Sequence, residues 1–338
     1  MTTKCLVVGD VHIRLDNLEE IQRFTSRLED TIQTHAPHMI ILLGDVLHTH
    51  ERIHTSCLQA AEELFRMCTR YTSTYVLVGN HDYISNSQFL TSCHWMTPFK
   101  AWSNLTIVDR VVSFSHHGNR FVACPYVPDG RFVEALSTYP DWMEAHMIFA
   151  HQTLDGVYMG AIQCENVEAW LPHYPMLCSG HIHDKQEVHP NLYYTGTPFQ
   201  QAFGEKRNKS IVLFTVENGV SSRHEIQLKI SDKRIEYMTV QDAYTYKLTV
   251  EEHEMVRITI RGTREECRVF KKSNAFQYLS SLAKIVLDET EQVREEESKD
   301  QSFHDVLYQS IQSNFFLTQL YKRHANLSHA PELDFTAL

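Results

Sequence analysis

The stretch STYVLVGNHD, residues 73–82, decides the fold because an apolar run passes through a glycine directly into Asn80, His81 and Asp82. Two earlier stretches have the same form, KCLVVGD at residues 4–10 and HMIILLGD at residues 38–45. Continuous apolar runs of this length are typical of strands that are covered on both faces of a sheet. The sequence therefore predicts three buried strands that each end in polar side chains.

Helices are predicted between these strands. After Asp16 or Asn17, either of which can cap a helix, an apolar stripe repeats at helical spacing and ends before Pro37. Its members are Leu18, Ile21, Phe24, Leu28 and Ile32. Residues 55–70 carry a second stripe of this kind. The alternation of strands and helices predicts a parallel sheet with right-handed crossovers.

Beyond about residue 105 the pattern changes to many short strands separated by turns, with one short helix near residues 129–137. We therefore expect an α/β sandwich, in which two mixed β-sheets are flanked by helices. Residues 1–228 are assigned to this domain.

Two further units are predicted after it. Residues 229–288 should form a small α+β capping domain, with strands at 234–240 and 256–261 and a helix at about 272–288. Residues 289–338 should form an acidic linker and a C-terminal helical segment. The apolar stripe of that segment must pack against another surface; it consists of Val306, Leu307, Ile311, Phe315, Leu317 and Leu320.

Composition narrows the class of protein. A formal net charge of −11, taken alone, argues against a polyanionic substrate. No run approaches the roughly 18 apolar residues of a membrane span, and the apolar start is too short for a signal peptide. The cysteines form no CxxC pair and are expected to be reduced. We therefore expect an intracellular protein of the cytoplasm or nucleoid, or of the infected host cell if the source is a phage or virus.

Polar residues at the strand ends are expected to converge, because ligands gather beyond the carboxyl ends of parallel strands. Two later segments, FAHQ and CSGHIH, also end in histidines. Together the strand ends give seven candidate metal ligands, Asp10, His12, Asp45, Asn80, His151, His181 and His183. Oxygen and imidazole ligands without thiolate suit manganese, iron(II) or zinc, and the set suits two ions that share one carboxylate. Two such ions would leave the site positive, so an acidic chain could still attract a phosphate.

Three more residues are candidates for catalysis. His81 lies beside Asn80 and can protonate a departing oxygen, and Asp82 could orient its ring. His48, one turn past Asp45, is placed to contact the phosphate.

The ordered motifs D-x-H, GD, GNHD, AH and GHIH, from residue 10 to residue 183, resemble those of the calcineurin-like metallophosphoesterase superfamily. The resemblance implies that one metal ion is held by Asp10, His12, Asp45 and His183, and the second by Asp45, Asn80, His151 and His181. It implies phosphoester hydrolysis with two divalent ions, manganese first, with iron(II), zinc and magnesium as alternatives.

The finer motifs resemble one branch of that superfamily. Its protein serine/threonine phosphatases carry GD-x-x-DRG and GNHE, whereas this chain has GDVLHTH and GNHD. With GTP at residues 196–198 and FGE at residues 203–205, the chain looks like the SbcD-type nucleases of DNA double-strand-break repair and recombination. Its length and plan are similar to the recombination endonuclease subunit of large bacteriophages. Ile13 and Arg14 stand where the family usually has a glycine, so the contacts of that loop should differ.

That resemblance implies a DNA exonuclease with endonuclease activity. It also implies a homodimer, and C-terminal helices that dock on the coiled coil of an SbcC-type ATPase. The best candidates for contacts to DNA phosphates are Arg52, Lys206, Arg207 and Lys209, although a solvated loop explains them equally well.

Two other functions remain compatible with the sequence. One is a phosphomonoesterase or cyclic-nucleotide phosphodiesterase on the same fold. The other is a catalytically silent scaffold without metal. The intact ligand set argues against the scaffold, because clustered aspartates without a cation would repel each other.

Overall fold

The computed structural model describes residues 2–50, 52–217 and 219–290, together with Leu307, Ser310, Ile311, Leu317, Thr318 and Tyr321. The strands are β1 (Thr2–Val8), β2 (Met39–Leu42), β3 (Ser73–Leu77), β4 (Leu105–Val108), β5 (Val112–His116), β6 (Asn119–Ala123), β7 (Met147–Ala150), β8 (Tyr158–Met159), β9 (Ile162–Gln163), β10 (Met176–Ser179), β11 (Gln186–His189), β12 (Leu192–Tyr194), β13 (Ile211–Glu217), β14 (Val220–Ile226), β15 (Asp232–Thr239), β16 (Glu254–Thr263) and β17 (Lys284–Thr290). The α-helices are α1 (Leu18–His35), α2 (Thr55–Tyr71), α3 (Phe132–Leu136), α4 (Val240–Ala243), α5 (Arg264–Phe270) and α6 (Asn274–Leu282).

The first sheet has the strand order β14-β13-β1-β2-β3-β4. Strands β1 to β4 run parallel, β13 joins β1 antiparallel, and β14 joins β13 antiparallel. Helices α1 and α2 are the crossovers, and they bury Phe24, Leu28, Leu64 and Phe65 against one face of the sheet. Burying each such side chain contributes roughly 1.5–3 kcal/mol. The predicted alternation of strands and helices is confirmed.

The second sheet has the order β11-β12-β10-β7-β6-β5 and is also mixed, with β6, β7, β10 and β12 parallel and both edge strands antiparallel. It packs on the other face of the first sheet through one apolar core. That core joins Val7, Ile41 and Leu77 of the first sheet to Phe121 and Phe149 of the second. Helix α3 covers the outer side of the second sheet. The predicted fold class, a sandwich of two mixed sheets flanked by helices, is confirmed.

Strands β15, β16 and β17 form a separate parallel sheet, and α4, α5 and α6 bury their apolar faces against it. The helix predicted at about residues 272–288 is wrong in its second half. Helix α6 ends at Leu282, and the segment after Ala283 is strand β17, paired in register with β16. Ile285 and Val286 are β-branched and fit a strand, so pairing with β16 outweighs the helical pattern. The boundary predicted at residue 288 falls inside this strand.

The predicted acidic linker and most of the C-terminal helical segment lie outside the described residues. Among the stripe residues of that segment, Leu307, Ile311 and Leu317 are described, and Leu307 and Leu317 are exposed. The docking surface proposed for this segment therefore stays a prediction. Within the described ranges, every helix is too short or too polar to cross a bilayer.

Candidate metal centre

Five strand ends, three from the first sheet and two from the second, meet at one edge of the sandwich. Strands β1, β2 and β3 lead into Asp10 and His12, into Asp45, and into Asn80 and His81, respectively. Strands β7 and β10 lead into His151, and into His181 and His183. Parallel strands end at the same edge of their sheet, which is why residues distant in sequence meet here. The structure brings all seven predicted metal ligands together.

The first cluster consists of Asp10, His12 and His183. The Nε2 atoms of the two histidines are 3.0 Å apart, and His12 Nε2 is 3.7 Å from Asp45 Oδ2. The Asp10 carboxylate is fully buried, and its Oδ2 has no hydrogen-bond partner among the described residues. A buried carboxylate oxygen of this kind requires a cation or a donor, because burying it unpaired is costly.

The second cluster consists of Asp45, His151 and His181, with Asn80 between the two rings. Asn80 Oδ1 is 2.8 Å from His181 Nδ1 and 3.0 Å from His151 Nε2. Asp45 Oδ1 is 3.4 Å from His151 Nε2. Metal–ligand bonds of about 2.1 Å that meet at a right angle place ligand atoms about 3 Å apart. The spacing within each cluster therefore fits the binding of one ion per cluster, and Asp45 lies between the two clusters.

The charges of the two clusters demand a cation. Burial raises the pKa of Asp10, and the neighbouring Asp45 carboxylate raises it further. Burial alone would lower the pKa of His151, but Asp45 and Asp10 raise it to about 9. Burial lowers the pKa of His181 to about 3, so this ring is neutral and free to coordinate. The two buried carboxylates thus attract positive charge, which a proton on His151 supplies without metal and which a bound cation would supply by displacing that proton.

Unusual backbone conformations position these side chains. His12, Asp45 and His181 all have positive φ, at 48°, 48° and 77°. Such values are uncommon for residues with a side chain and cluster at functional sites. Gly180 precedes His181 where a Cβ atom would lie 2.5 Å from Asp10 Oδ1, so only glycine fits.

His81 and His48 lie at the open side of the clusters. His81 Nδ1 is 2.7 Å from the carbonyl oxygen of His48, which can only accept, so Nδ1 carries a hydrogen. The other ring nitrogen of His81, Nε2, is 4.0 Å from Asp45 Oδ2, and the side chain is 27% exposed. The His48 ring stacks on the His81 ring with 5.2 Å between centroids. A proton held at His81 Nε2 can therefore reach a group bound at the clusters.

The orienting role predicted for Asp82 is wrong. Its Oδ2 accepts hydrogen bonds from the amides of Gly79 and Val46, at 3.0 and 3.4 Å. Its Oδ1 accepts from the Leu47 amide at 3.3 Å and from Trp95 Nε1 at 2.9 Å. Asp82 is buried below the loops that carry Asn80 and Asp45, so it ties these loops together, while the His48 carbonyl orients His81.

The DNA contact predicted for Lys209 is also wrong, because Lys209 is only 7% exposed and donates to the carbonyl oxygen of His183. The chain folds back on the predicted metal ligand His183 at this point, which sequence spacing cannot reveal. Arg52 is exposed. The side chains of Lys206 and Arg207 are 65% and 58% exposed and pair with Asp184 and Asp232, respectively. These three remain accessible to a phosphate.

Sequence reasoning missed two residues that contact the clusters. Glu205, in the FGE motif, has its Oε1 3.6 Å from His183 Nδ1. Burial would raise the pKa of Glu205, but His183 and Lys209 hold it at about 2. Tyr126 packs its ring 5.9 Å from the ring of His181. The four-residue spacing of Glu205 and Lys209 was a signal for the first, whereas no local pattern singles out Tyr126.

A cleft of about 710 Å³ opens over the clusters. Asp45, His81, His181 and His183 line it on the metal-ligand side. Its other walls include Met159, the last residue of β8, and the FGE and Lys206 segment. Cations at the base of such a cleft, with a histidine proton beside them, suit displacement at a phosphorus atom.

The sequence comparisons with known proteins agree with this chemistry. The family model described as calcineurin-like phosphoesterase matches residues 3–185. A protein of Invertebrate iridescent virus 3, named "Putative phosphoesterase 078R", is 37% identical over 321 residues, which cover 91% of this chain and 92% of that protein. "Putative phosphoesterase 244L" of Invertebrate iridescent virus 6 is 35% identical over 276 residues, 80% of this chain and 98% of that protein. The solved structure of Yfce, a phosphoesterase from E. coli, is 12% identical, with a TM-score of 0.33, and covers 67% of this chain and 100% of that one.

Proposed function

This chain belongs to the calcineurin-like phosphoesterase family, and from that premise we propose that it is a two-metal DNA phosphodiesterase, an exonuclease with endonuclease activity. The observation that carries the proposal is the pair of adjoining clusters joined by Asp45, below a cleft that His81 also lines. The family hydrolyses phosphoesters with divalent ions, and the donor set of this chain suits such ions.

The residues fit a two-ion centre. The first ion would be held by Asp10, whose Oδ2 has no partner in the described part of the chain, together with His12, His183 and one oxygen of Asp45. The other oxygen of Asp45 with Asn80, His151 and His181 would hold the second. Divalent ions bound there supply positive charge for the phosphate oxygens and acidify water. Oxygen and imidazole ligands without sulfur suit manganese, iron(II) and zinc, and the family resemblance puts manganese first, with magnesium as a further alternative.

His81 is the proposed general acid. Its Nδ1 donates to the His48 carbonyl, so the ring is fixed with Nε2 toward the clusters. A proton at Nε2 would pass to the leaving oxygen as its bond to phosphorus breaks and the oxygen of a water molecule bonds to phosphorus. His48, stacked on His81, is the proposed contact to a phosphate oxygen. Asp82 serves this step only through the loops that it ties together.

Three features support DNA as the substrate. The GNHD, GHIH, GTP and FGE motifs resemble the SbcD-type nucleases. The FGE segment lies in the wall of the cleft, where Phe203 also contacts Arg257 of β16, with 5.3 Å between guanidinium carbon and ring centroid. Arg52, Lys206 and Arg207 are the exposed cations available for the backbone phosphates of DNA.

The test compares three substrates with manganese. Wild-type protein should hydrolyse single-stranded DNA and bis(p-nitrophenyl) phosphate, a diester, faster than p-nitrophenyl phosphate, a monoester. Asp45→Asn should abolish all hydrolysis, while Asp141→Asn, at an exposed carboxylate, should leave it unchanged. If the wild-type protein hydrolysed the monoester faster and left DNA intact, the proposed nuclease function would be wrong and a phosphomonoesterase function would take its place.

The partner and the location are part of the proposal. We propose that the C-terminal segment docks on an SbcC-type ATPase, that the catalytic domains pair as a homodimer, and that the protein acts in the infected host cell, as its viral relatives suggest. Truncation after residue 300 should keep the manganese-dependent hydrolysis and abolish binding to such an ATPase. Unchanged binding by the truncated chain would contradict the docking.

A further inference from the structure

The half-buried Glu205 and the buried Lys209 form an ion pair directly behind His183. Lys209 Nζ is 2.9 Å from Glu205 Oε2, and the lysine side chain is 6% exposed. The same ammonium donates to the carbonyl oxygen of His183 at 2.8 Å. Lysine is almost never buried without partners that satisfy its charge. For Lys209 these partners are the Glu205 carboxylate and the His183 carbonyl oxygen. Lys209 therefore joins the backbone of His183 to the carboxylate of Glu205.

The ring of His183 lies between that carboxylate and the first cluster. Its Nε2 is 3.0 Å from His12 Nε2, and its Nδ1 is 3.6 Å from Glu205 Oε1. This second distance is longer than a hydrogen bond, but it is an ion-pair distance at which the carboxylate favours a hydrogen on Nδ1. With the hydrogen on Nδ1, the lone pair of Nε2 faces the cluster.

The carboxylate of Glu205 is itself held in place. Its Oε2 accepts from the Gln201 amide at 3.0 Å as well as from Lys209. The Glu205 carbonyl oxygen accepts from Gln200 Nε2 at 2.8 Å. Both ends of the residue are therefore fixed, and Oε1 remains directed at His183.

We propose that Glu205, fixed by Lys209, is a positioning residue that holds the His183 ring with Nε2 as the ligand atom of the first cluster. The inference rests on the metal-ligand role proposed above for His183. Metal-binding histidines commonly place the other ring nitrogen on a carboxylate, which fixes the ring and makes it a stronger ligand. His151, in the second cluster, instead directs Nδ1 at the Leu43 carbonyl at 2.8 Å. Loss of Glu205 should therefore weaken one cluster selectively.

The experiment titrates manganese into metal-free, full-length protein by calorimetry. Glu205→Gln keeps the size of the side chain but removes its charge. It should weaken one of two manganese sites by about 10- to 100-fold and leave the other unchanged. Glu205→Asp, which keeps the charge, should recover part of the loss. The matched control is Asp109→Asn, because the Asp109 carboxylate also pairs with a lysine, Lys100, and a histidine, His94, and neither of these is a candidate metal ligand.

Each outcome decides the proposal. Equal weakening of both sites, or unchanged affinity at both, would overturn it. Unfolding of both Glu205 variants in the absence of metal would mean that the pair only supports the fold, and would also overturn it. If the manganese pattern is as expected but the wild-type protein leaves DNA intact, the nuclease proposal fails and the positioning role stands.

Discussion

Gly180→Ala should disable the metal centre while keeping the fold. An added Cβ atom would lie 2.5 Å from Asp10 Oδ1 and 3.0 Å from His151 Nδ1. These two atoms belong to different clusters, so the added methyl group should displace a side chain in each cluster. The flanking backbone cannot retreat easily, because the Gly180 amide donates to the Ala150 carbonyl at 3.0 Å.

The size of the effect follows from these distances. Ordinary contact with a Cβ atom begins at 3.4 Å, so Asp10 Oδ1 must move by about 0.9 Å and His151 Nδ1 by a few tenths of an ångström. Misplacement of a catalytic group by about 1 Å lowers rates by about 100-fold. Overpacking of this kind also destabilises a fold by about 1 to 3 kcal/mol.

The assay measures hydrolysis of bis(p-nitrophenyl) phosphate at increasing manganese, together with urea unfolding. The control is Gly118→Ala in the β5–β6 turn, where a Cβ atom meets open space but φ is 79°. That variant should lose about 1 to 2 kcal/mol through backbone strain and keep its rate. Wild-type rate and manganese affinity in Gly180→Ala would refute the assignment of Asp10 and His151 as ligands.

Three further predictions concern individual side chains. His81→Ala should bind both metals, by anomalous scattering, but lose about 100-fold or more in rate, and metal loss would reassign it as a ligand. Asp82→Asn should lower the melting temperature without moving the pH profile of kcat; a shifted profile would restore its predicted orienting role. Burial would raise the pKa of Asp109, but hydrogen bonds from Lys100 and His94 hold it below the usual 3.8. Asp109 therefore stabilises the fold above pH 3.8 and loses this contribution as the pH falls through its folded pKa. In urea unfolding, Asp109→Asn should be less stable than wild type at pH 7, and the gap should close below pH 3.8; a constant gap would contradict this.

The parts of the fold that the sequence predicts are those with strong local patterns. Continuous apolar runs identify β1, β2 and β3, and the stripe from Leu18 to Ile32 identifies α1. The edge strand β17 was mistaken for a helix because its residues become a strand only through pairing with β16. Long-range pairing of this kind leaves little trace in the local sequence.

In the candidate site too, the sequence predicts some residues from local patterns and fails for those whose roles depend on distant contacts. The predicted ligands follow strands directly, so parallel topology brings them to one edge of each sheet, and the packing of the two sheets brings these two edges together. The roles of Asp82 and Lys209 depend on which distant groups the loops bring near them. Asp82 meets the amides of Val46 and Leu47, and Lys209 meets the carbonyl of His183. A motif identifies such residues as important without saying what they contact.

The most direct test of the proposed function is cleavage of single-stranded DNA by one preparation of the full chain, before and after metal removal. Rigorously metal-free protein should leave the DNA intact, and activity should return as two manganese ions bind per chain. Equal cleavage by the metal-free protein would contradict the two-metal mechanism. If the protein binds two manganese ions per chain and the DNA still stays intact, the proposed nuclease function is wrong.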